Sequence, residues 1–177
     1  MTLNELGPRI CIMGPSNSGK STLASVIAQT RGLDAIYLDQ LYHLPYTNWV
    51  PRPADEFTAL HDAAITGSHW VIEGNYSRLL PARLARATGF ILLDVPTMVS
   101  LYRYLRRCWI EHDRKGALEG GLDSVKWSVI HHITAATRTN RSRYQHIFSE
   151  IALPKVRLNS SKSVADFYRL NNLSRWP

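Results

Sequence analysis

The sequence predicts an α/β fold in which helices cover a parallel sheet. Short apolar runs alternate with longer helical stretches along the chain, which is typical of consecutive βαβ units. A glycine-containing loop joins the first apolar run to the first helical stretch. Because the 177 residues contain no internal repeat, we expect a single domain over residues 1–177.

The first half of the chain supplies three strands and two helices. Arg9–Met13 is apolar almost throughout, which is typical of a buried strand. The first helix is predicted over Gly19–Thr30 and ends before a glycine. The remaining elements are a strand at Ala35–Leu38, a helix at Pro53–Thr66 and a strand at His69–Ile72. In the second helix we expect Phe57, Leu60 and Ala64 to face the core.

The second half supplies two strands and a long helical excursion between them. The predicted strands are Phe90–Leu93 and Lys155–Leu158. One helix is predicted over Thr97–His112 and a second from Asp123 to about Ile151. The predicted core face of the former is Met98, Leu101, Leu105 and Cys108. Glycines separate the two helices, so we expect a lid at about residues 113–123.

Composition excludes several classes of protein. The chain is 45% hydrophobic and 20% charged, which is close to the globular average and far from disordered or fibrous proteins. No apolar run approaches the ~18 residues that a membrane-spanning helix needs, and no signal-peptide pattern opens the sequence. We therefore expect a soluble, cytoplasmic protein with no membrane partner. Cys11 and Cys108 lie among apolar neighbours and are predicted to be buried thiols.

The net charge of +7 is concentrated in the middle of the chain. Residues 78–143 carry 12 basic and 5 acidic side chains, whereas residues 1–77 carry 4 and 7. Arginine accounts for 16 of the 21 basic residues. Since the guanidinium group binds phosphate through two parallel hydrogen bonds, an anionic partner is expected, either a nucleotide or a nucleic acid.

The loop after the first strand matches G-x-x-x-x-G-K-[ST], the phosphate-binding P-loop pattern. Its backbone amides, with the N-terminus of the next helix, are suited to surround phosphates. Lys20 is expected to reach the β- and γ-phosphates of ATP, and the Ser21 hydroxyl to bind Mg²⁺. The predicted nucleotide-binding residues are Gly14, Pro15, Ser16, Asn17, Ser18, Gly19, Lys20, Ser21 and Thr22.

Three carboxylates follow predicted strands, at the edge where open parallel sheets bind ligands. Glu73, at the end of the third strand, is the preferred Mg²⁺ ligand or water-mediated partner. Asp39, after the second strand, is the candidate to orient or deprotonate an acceptor hydroxyl. Asp94, after the fourth strand, is the weakest candidate of the three. For each of them the alternative is a capping or surface role.

Two further groups of side chains could contact substrates. Arg103, Arg107 and Arg114, with Arg106 alongside, would share one helix face and could close on a polyphosphate. Beyond the glycines, Arg138, Arg141 and Arg143 could complete that clamp, and both groups could instead form an ordinary basic surface. The aromatic cluster after Asp39 could stack on a substrate or form a small core; it comprises Tyr42, His43, Tyr46 and Trp49. His131 and His132 are interpreted as structural.

The segments GPSNSGKSTLA, LDQLYHLP, WVIEGNYSR, ILLDVP and YRYLRR occur in this order over about residues 8–170. Together they resemble the adenylate-kinase-like P-loop kinases, and most closely the DNA-topology-modulation (FlaR-type) proteins. The resemblance implies a P-loop NTPase three-layer sandwich with a five-stranded parallel sheet in the order 2-3-1-4-5. It also implies that Arg103 and Arg107 contact ATP phosphates.

The same resemblance implies an acceptor site after the third strand. The segment Glu73 to Arg78 stands where related nucleotide kinases have carboxylate-Gly-x-Pro-Arg, with its arginine one position later. The residues expected to bind the acceptor are Asp39, Tyr42, Trp49, Gly74, Asn75, Tyr76, Arg78, Arg138 and Arg143.

Three functions remain open from the sequence. The leading one is a Mg²⁺-ATP-dependent phosphotransferase acting on a small acceptor, with Lys20, Asp39, Arg103 and Arg107 as its catalytic residues. The alternative is a nucleic-acid-associated ATPase that affects DNA topology, which the pI of 9.7 favours. A nucleotide-dependent switch is the weakest, because the sequence has no N-K-x-D segment. The sequence leaves the oligomeric state open.

Overall fold

The computed structural model describes residues 1–102 and 137–174. Five strands and eight helices occur in these ranges, and a short 3₁₀ turn at Ser77–Leu79 precedes the fifth helix. In chain order the elements are α1 Leu3–Leu6, β1 Arg9–Met13, α2 Lys20–Arg31, β2 Asp34–Tyr37, α3 Leu38–Tyr42, α4 Ala54–Ala64, β3 Trp70–Glu73, α5 Leu80–Arg86, β4 Gly89–Leu93, α6 of which residues 97–102 are described, α7 Thr137–Glu150, β5 Lys155–Leu158 and α8 Ser161–Leu170.

All five strands are parallel and lie in the order β2-β3-β1-β4-β5. The predicted sheet order is therefore confirmed. β1 is the central strand: Ile12 pairs with Glu73 of β3 on one side and with Ile91 of β4 on the other. Tyr37 of β2 also pairs with Glu73. The strand order reverses at β1, and the loops after β1, β2 and β3 meet at the same edge of the sheet.

The central strands of the sheet are buried on both faces. Along β1, Ile10 and Ile12 point to the layer that contains α2 and α8, whereas Cys11 and Met13 point to the layer that contains α5 and α7. All four side chains are fully buried. Burial of one such side chain stabilises the fold by about 1.5–3 kcal/mol. Two apolar layers around β1 hold its C-terminal end, and the loop after it, in a fixed place.

Several predicted helix faces and ends are wrong in detail. In α4 the buried residues are Phe57 and His61, while Leu60 is 36% exposed. In α6 Met98 is 72% exposed and Ser100 is 1% exposed, so the helix turns the side opposite Met98 inward. Leu38, predicted to end β2, begins α3 instead.

Other predictions fall outside the described residues. These include the lid at about 113–123, Leu105 and Cys108 of the predicted core face, and the beginning of the helix predicted from Asp123. The prediction of a single domain over residues 1–177 covers the same region and stays a prediction. Within the described residues, no helix combines the length and the apolar composition needed to cross a membrane.

Candidate functional site

The loop from residue 14 to residue 19 turns sharply between β1 and α2. Gly14, Asn17 and Gly19 have positive φ angles of 150°, 59° and 100°. A Cβ atom at Gly14 would collide with the backbone carbonyl of Leu93, so the close approach of the loop to β4 requires glycine. The loop ends at the N-terminus of α2, a twelve-residue helix. Positive φ angles and a helix N-terminus are the features that turn backbone amides toward an anion.

Lys20 and Ser21 are the first two residues of α2. The Lys20 ammonium donates to the Pro15 carbonyl at 2.9 Å, so the side chain folds back over the loop. The Ser21 hydroxyl donates to Oε1 of Glu73 at 2.9 Å. Glu73 ends β3, next to β1, and is 3% exposed. The structure thus brings together the three side chains predicted to act on phosphate and Mg²⁺.

The chemistry of this donor set fits Mg²⁺. Magnesium binds oxygen ligands and keeps several of its waters, so it needs only one or two protein ligands when phosphates supply the rest. The Ser21 hydroxyl and the Glu73 carboxylate are such ligands. Within the described ranges, no group of three or more His, Cys, Asp or Glu side chains could hold a metal ion by itself.

The segment after β3 is fastened to the P-loop. The Asn75 side-chain amide receives a hydrogen bond from the Gly14 N–H at 3.1 Å and donates to the Gly14 carbonyl at 2.8 Å. Gly74 has φ +137°, and a Cβ there would lie 2.8 Å from Cβ of Leu38. Two predicted acceptor-binding residues therefore have contacts that position the loop.

Arg83 of α5 was not predicted to belong to the site. It is fully buried, and its guanidinium donates to the carbonyls of Gly74 at 3.0 Å and Tyr76 at 2.8 Å. Burial lowers the pKa of Arg83, while the nearby Glu73 acts in the opposite direction. Because Arg83 holds two carbonyls between the candidate metal ligand and the cavity described next, it fixes the shape of that segment. In the sequence Arg83 is one of three arginines in the otherwise apolar stretch RLLPARLAR, and nothing there distinguished it from the other two.

Asp39 and Tyr76 connect the phosphate end of the site to a cavity. The Tyr76 hydroxyl donates to Oδ1 of Asp39 at 2.7 Å. Burial and the neighbouring Asp39 raise the pKa of Tyr76, so the hydroxyl keeps its proton and stays a donor. Tyr76 also lines a cavity of about 400 Å³. That volume lies within the range of small-molecule sites.

The cavity has an aromatic wall and two arginines. Tyr42, Phe57 and Tyr76 have ring centroids 4.9–5.1 Å apart. The lining residues are Tyr42, Arg52, Ala54, Phe57, Thr58, Tyr76, Ser77, Arg78 and Leu79. Three of the residues predicted to bind the acceptor, Tyr42, Tyr76 and Arg78, thus lie on one cavity. Arg52, Phe57 and the others of this lining were not predicted.

Trp49 does not line this cavity. Its ring meets the edge of His43 at a centroid distance of 5.0 Å. His43 pairs with Pro51 in an isolated antiparallel bridge, and the Leu44 N–H donates to the Val50 carbonyl at 2.9 Å. Trp49 therefore lies in a hairpin-like loop between α3 and α4 and packs against His43.

Asp94 is bound by two arginines and a glutamine of α7 and β5. Arg141 donates to Oδ1 at 2.5 Å, while Gln145 and Arg157 donate to Oδ2 at 2.9 Å and 2.6 Å. Burial raises the pKa of Asp94, but these three hydrogen bonds together outweigh it and hold the pKa below its ordinary value. Asp94 is 4% exposed and joins these elements, so it is neither a capping nor a surface carboxylate, and Arg141 is engaged in the same cluster.

The described residues include only part of the predicted arginine clamp. Arg143 of α7 is exposed. Arg138 lies in α7, but its side chain is outside the described part of the chain. Arg103, Arg106, Arg107, Arg114, His131 and His132 also lie outside the described residues. Their assignment to ATP phosphates, to a basic surface or to a structural role stays a prediction.

The sheet order and the GPSNSGKS loop after its central strand define a P-loop α/β fold. No family model matches the chain, and no curated protein matches it. Among solved structures, a gluconokinase from Sinorhizobium meliloti 1021 is similar at 16% identity and a TM-score of 0.49, with 94% of this chain and 90% of that chain covered.

A sugar kinase from Janibacter sp. HTCC2649, in an unliganded structure, is similar at 16% identity and a TM-score of 0.44. That likeness covers 85% of this chain and 83% of the other. Both TM-scores lie below 0.5. The function of this chain is therefore argued below from its own residues.

Proposed function

We propose that this chain is a Mg²⁺-ATP-dependent phosphotransferase that acts on a small acceptor. The observation that supports this best is the 2.9 Å hydrogen bond from Ser21 to the nearly buried Glu73, directly behind the P-loop. A hydroxyl and a carboxylate at this position form an oxygen pair suited to Mg²⁺ beside bound phosphates. When bound, Mg²⁺ would neutralise phosphate charge as the terminal phosphoryl group leaves ATP.

The phosphate end of the site is formed by the loop amides and Lys20. Residues 14–19 and the first turn of α2 direct N–H groups and the positive helix end to one place. Lys20, which now donates to the Pro15 carbonyl, has the reach to exchange that acceptor for a phosphate oxygen. Charge-assisted hydrogen bonds of this kind strengthen as charge develops on the transferring group.

The acceptor end of the site is formed by Asp39, Tyr76 and the cavity. Asp39 lies in α3, immediately after β2, and Tyr76 follows β3 by three residues. The hydrogen bond from Tyr76 fixes one carboxylate oxygen of Asp39 and leaves the other to accept the proton of an acceptor hydroxyl. We expect the acceptor to lie in the adjoining cavity, with its hydroxyl toward Asp39.

The resemblance to the FlaR-type proteins is part of this proposal. The segments that narrow the resemblance are LDQLY and EGNY. Asp39 of the first accepts the hydrogen bond of Tyr76 of the second, at 2.7 Å. Contact between the two segments gives them a common role at the acceptor end, which supports a kinase rather than two unrelated sequence matches.

The test is ADP release from ATP, measured with and without Mg²⁺ in the presence of nucleoside monophosphates, nucleosides, cyclic hydroxy acids and sugars. We expect Mg²⁺-dependent release that one class of small acceptor stimulates. Duplex DNA is included as a further addition. Stimulation by DNA alone would contradict the proposal and favour the nucleic-acid-associated ATPase, and failure to bind ATP would exclude both.

A further inference from the structure

We propose that the acceptor is an organic anion, with one carboxylate or phosphate group on a flat or apolar body that also carries the hydroxyl to be phosphorylated. This inference rests on the proposed function and narrows its substrate class. The observations that carry it are the shape, the charge and the hydrogen-bonding groups of the cavity beside Asp39.

The aromatic wall of the cavity favours a ligand with a flat or apolar body. Tyr42, Phe57 and Tyr76 pack against one another at tilted or edge-on angles of 49–73°. Rings held in this way present apolar faces and edges that bind a flat or apolar group well. Ala54 and Leu79 add further apolar surface to the lining. A cavity of about 400 Å³ holds a compact ring with its substituents.

The charge of the lining indicates that the ligand carries an anionic group. Arg52 and Arg78 are the charged side chains among the described residues that line the cavity, and no Asp, Glu, Asn or Gln accompanies them there. Carboxylate and amide oxygens are strong acceptors for the hydroxyl groups of a neutral sugar, and the described residues of the lining have neither among their side chains. The hydroxyl groups of Thr58 and Ser77 can accept such bonds, but the two guanidinium groups only donate. The balance favours an anion.

The two arginines contribute unequally. Arg52 already donates to Glu56 at 2.6 Å, and its buried Nε has no hydrogen-bond partner in the described part of the chain. Arg78 makes neither a hydrogen bond nor an ion pair with any described residue. Arg78 is exposed, so its charge is hydrated, but no described residue compensates that charge. We assign Arg78 as the main receptor for the anionic group and Arg52 as its support.

Asp39 determines where the hydroxyl lies. The carboxylate is outside the lining but is hydrogen-bonded to Tyr76, which belongs to it. An anionic group placed at Asp39 would be repelled, while a hydroxyl there can donate. The ligand is thus oriented with its anion toward Arg78 and its hydroxyl toward Asp39. In the transfer, the hydroxyl oxygen forms the new bond to phosphorus, its proton passes to Asp39, and ADP leaves.

The experiment compares acids with neutral molecules of the same shape. Shikimate, hydroxymethylbenzoate and uridine monophosphate are tested beside methyl shikimate, methyl hydroxymethylbenzoate and uridine. Binding is measured by calorimetry with Mg²⁺ and a non-hydrolysable ATP analogue present, and ADP release is measured with ATP. We expect at least one acid to bind about tenfold more tightly than its neutral counterpart, as one charge-assisted hydrogen bond predicts. The carboxylates and the phosphate ester distinguish the two kinds of anion.

Variants test whether Arg78 is the residue that binds the anionic group. Arg78→Gln should weaken binding of the preferred acid by about tenfold and leave its neutral counterpart unchanged. Arg169→Gln is the matched control, because Arg169 lies in α8, is 80% exposed and pairs with Asp166. The proposal is overturned if the neutral molecules bind as well as the acids, if no acid binds, or if Arg78→Gln has no effect on the acid.

Failure of the proposed phosphotransferase function would give a different experimental result from failure of the anionic-acceptor proposal. Binding of the ATP analogue alone is measured first, and its absence would exclude the phosphotransferase whatever the cavity binds. Acid binding that depends on Arg78 without any ADP release would likewise exclude the transferase, while the anionic class of the ligand would stand.

Discussion

Substitution of Lys20 can separate its role in phosphoryl transfer from its role in the fold. Its ammonium donates to the carbonyl of Pro15 within the same loop, and its helix is held by buried residues farther along, including Leu23 and Ile27. We expect Lys20→Ala to abolish phosphoryl transfer and to change the free energy of unfolding by less than about 1 kcal/mol.

The measurement is ADP release together with urea denaturation. Lys162→Ala serves as the control, because Lys162 is 86% exposed in α8 and pairs with Asp166. Turnover in Lys20→Ala at the level of the control would exclude the assigned role of the P-loop.

Tyr76 combines two roles, since its ring lines the cavity and its hydroxyl orients Asp39. Tyr76→Phe keeps the ring and removes the hydrogen bond to the carboxylate. The carboxylate then loses the contact that orients it toward the acceptor hydroxyl, so kcat should fall about tenfold while KM for the acceptor changes little. The measurement is kcat and KM with an acceptor that stimulates ADP release.

Tyr42→Phe is the matched control for this change. Its ring also lines the cavity, but the hydrogen bond from Tyr76 to Asp39 remains in place. A role for Tyr76 in packing the cavity alone would raise KM and leave kcat unchanged. An unchanged kcat in Tyr76→Phe would therefore contradict either the role of Asp39 as base or the positioning role of the hydrogen bond.

At the scale of elements, Asp94 joins β4 to α7 and β5. Side chains from both elements donate to a carboxylate that is 4% exposed. Asp94→Asn removes the charge and leaves Arg141 and Arg157 side by side, so we expect a loss of about 2–3 kcal/mol in the free energy of unfolding. Urea denaturation at neutral pH measures it.

The Asp94 cluster also predicts how the stability of the fold depends on pH. The folded pKa of Asp94 is depressed from 3.8, so its stabilising contribution is present above pH 3.8 and is lost as the pH falls through the lower, folded value. The stability difference between wild type and Asp94→Asn should therefore shrink below that pH. Asp166→Asn, an exposed carboxylate with two cationic neighbours on α8, should show no measurable loss. Equal losses for the two variants would contradict the anchoring role.

The strands could be predicted from the sequence more accurately than the buried faces of the helices. The three central strands, β1, β3 and β4, are apolar runs, which a sheet covered on both faces requires. The helix faces are harder, because Leu60 and Met98 fit an apolar stripe and yet are exposed, whereas His61 and Ser100 are buried. Which side of a helix is covered depends on tertiary packing, and residue periodicity does not contain that information.

Among the described helices, α1, α3, α5 and α8 were not predicted at all. α1 and α8 begin with side-chain caps at Thr2 and Ser160, each hydrogen-bonded to the backbone three residues later. These residues are a sequence signal for a helix start that was available. α5 follows a 3₁₀ turn and has no such cap, so the position of Arg83 depended on contacts that only the folded chain makes.

At the scale of the whole molecule, Cys11 reports on opening of the fold. It lies in β1 and is fully buried, and burial raises the pKa of its thiol to about 12. In a Cys108→Ser background, we expect labelling of Cys11 at neutral pH to follow opening of the sheet. Mg²⁺-ATP at about 100 times its Kd should slow the labelling about 100-fold, because it binds only the folded chain.

The measurement is the rate of iodoacetamide incorporation into Cys11. A Lys20→Ala variant in the same background is the control, and there Mg²⁺-ATP should have much less effect. Labelling of the Cys108→Ser protein at the same rate with and without Mg²⁺-ATP would mean that nucleotide does not bind the folded chain.

The position of β1 at the centre of the sheet has a consequence for biosynthesis. Of the five strands of this sheet, β1 leaves the ribosome before the other four, but Arg9 pairs with Trp70, and Ile10 pairs with Gly89. For as long as translation takes to reach these partners, an apolar strand with both edges unpaired is exposed on the nascent chain. The phosphate-binding loop cannot take its final shape in that interval either, because Asn75 has not yet been added to hold Gly14. Nascent chains stalled before residue 70 should therefore recruit chaperones that bind extended apolar segments, and chains extended past β4 should release them.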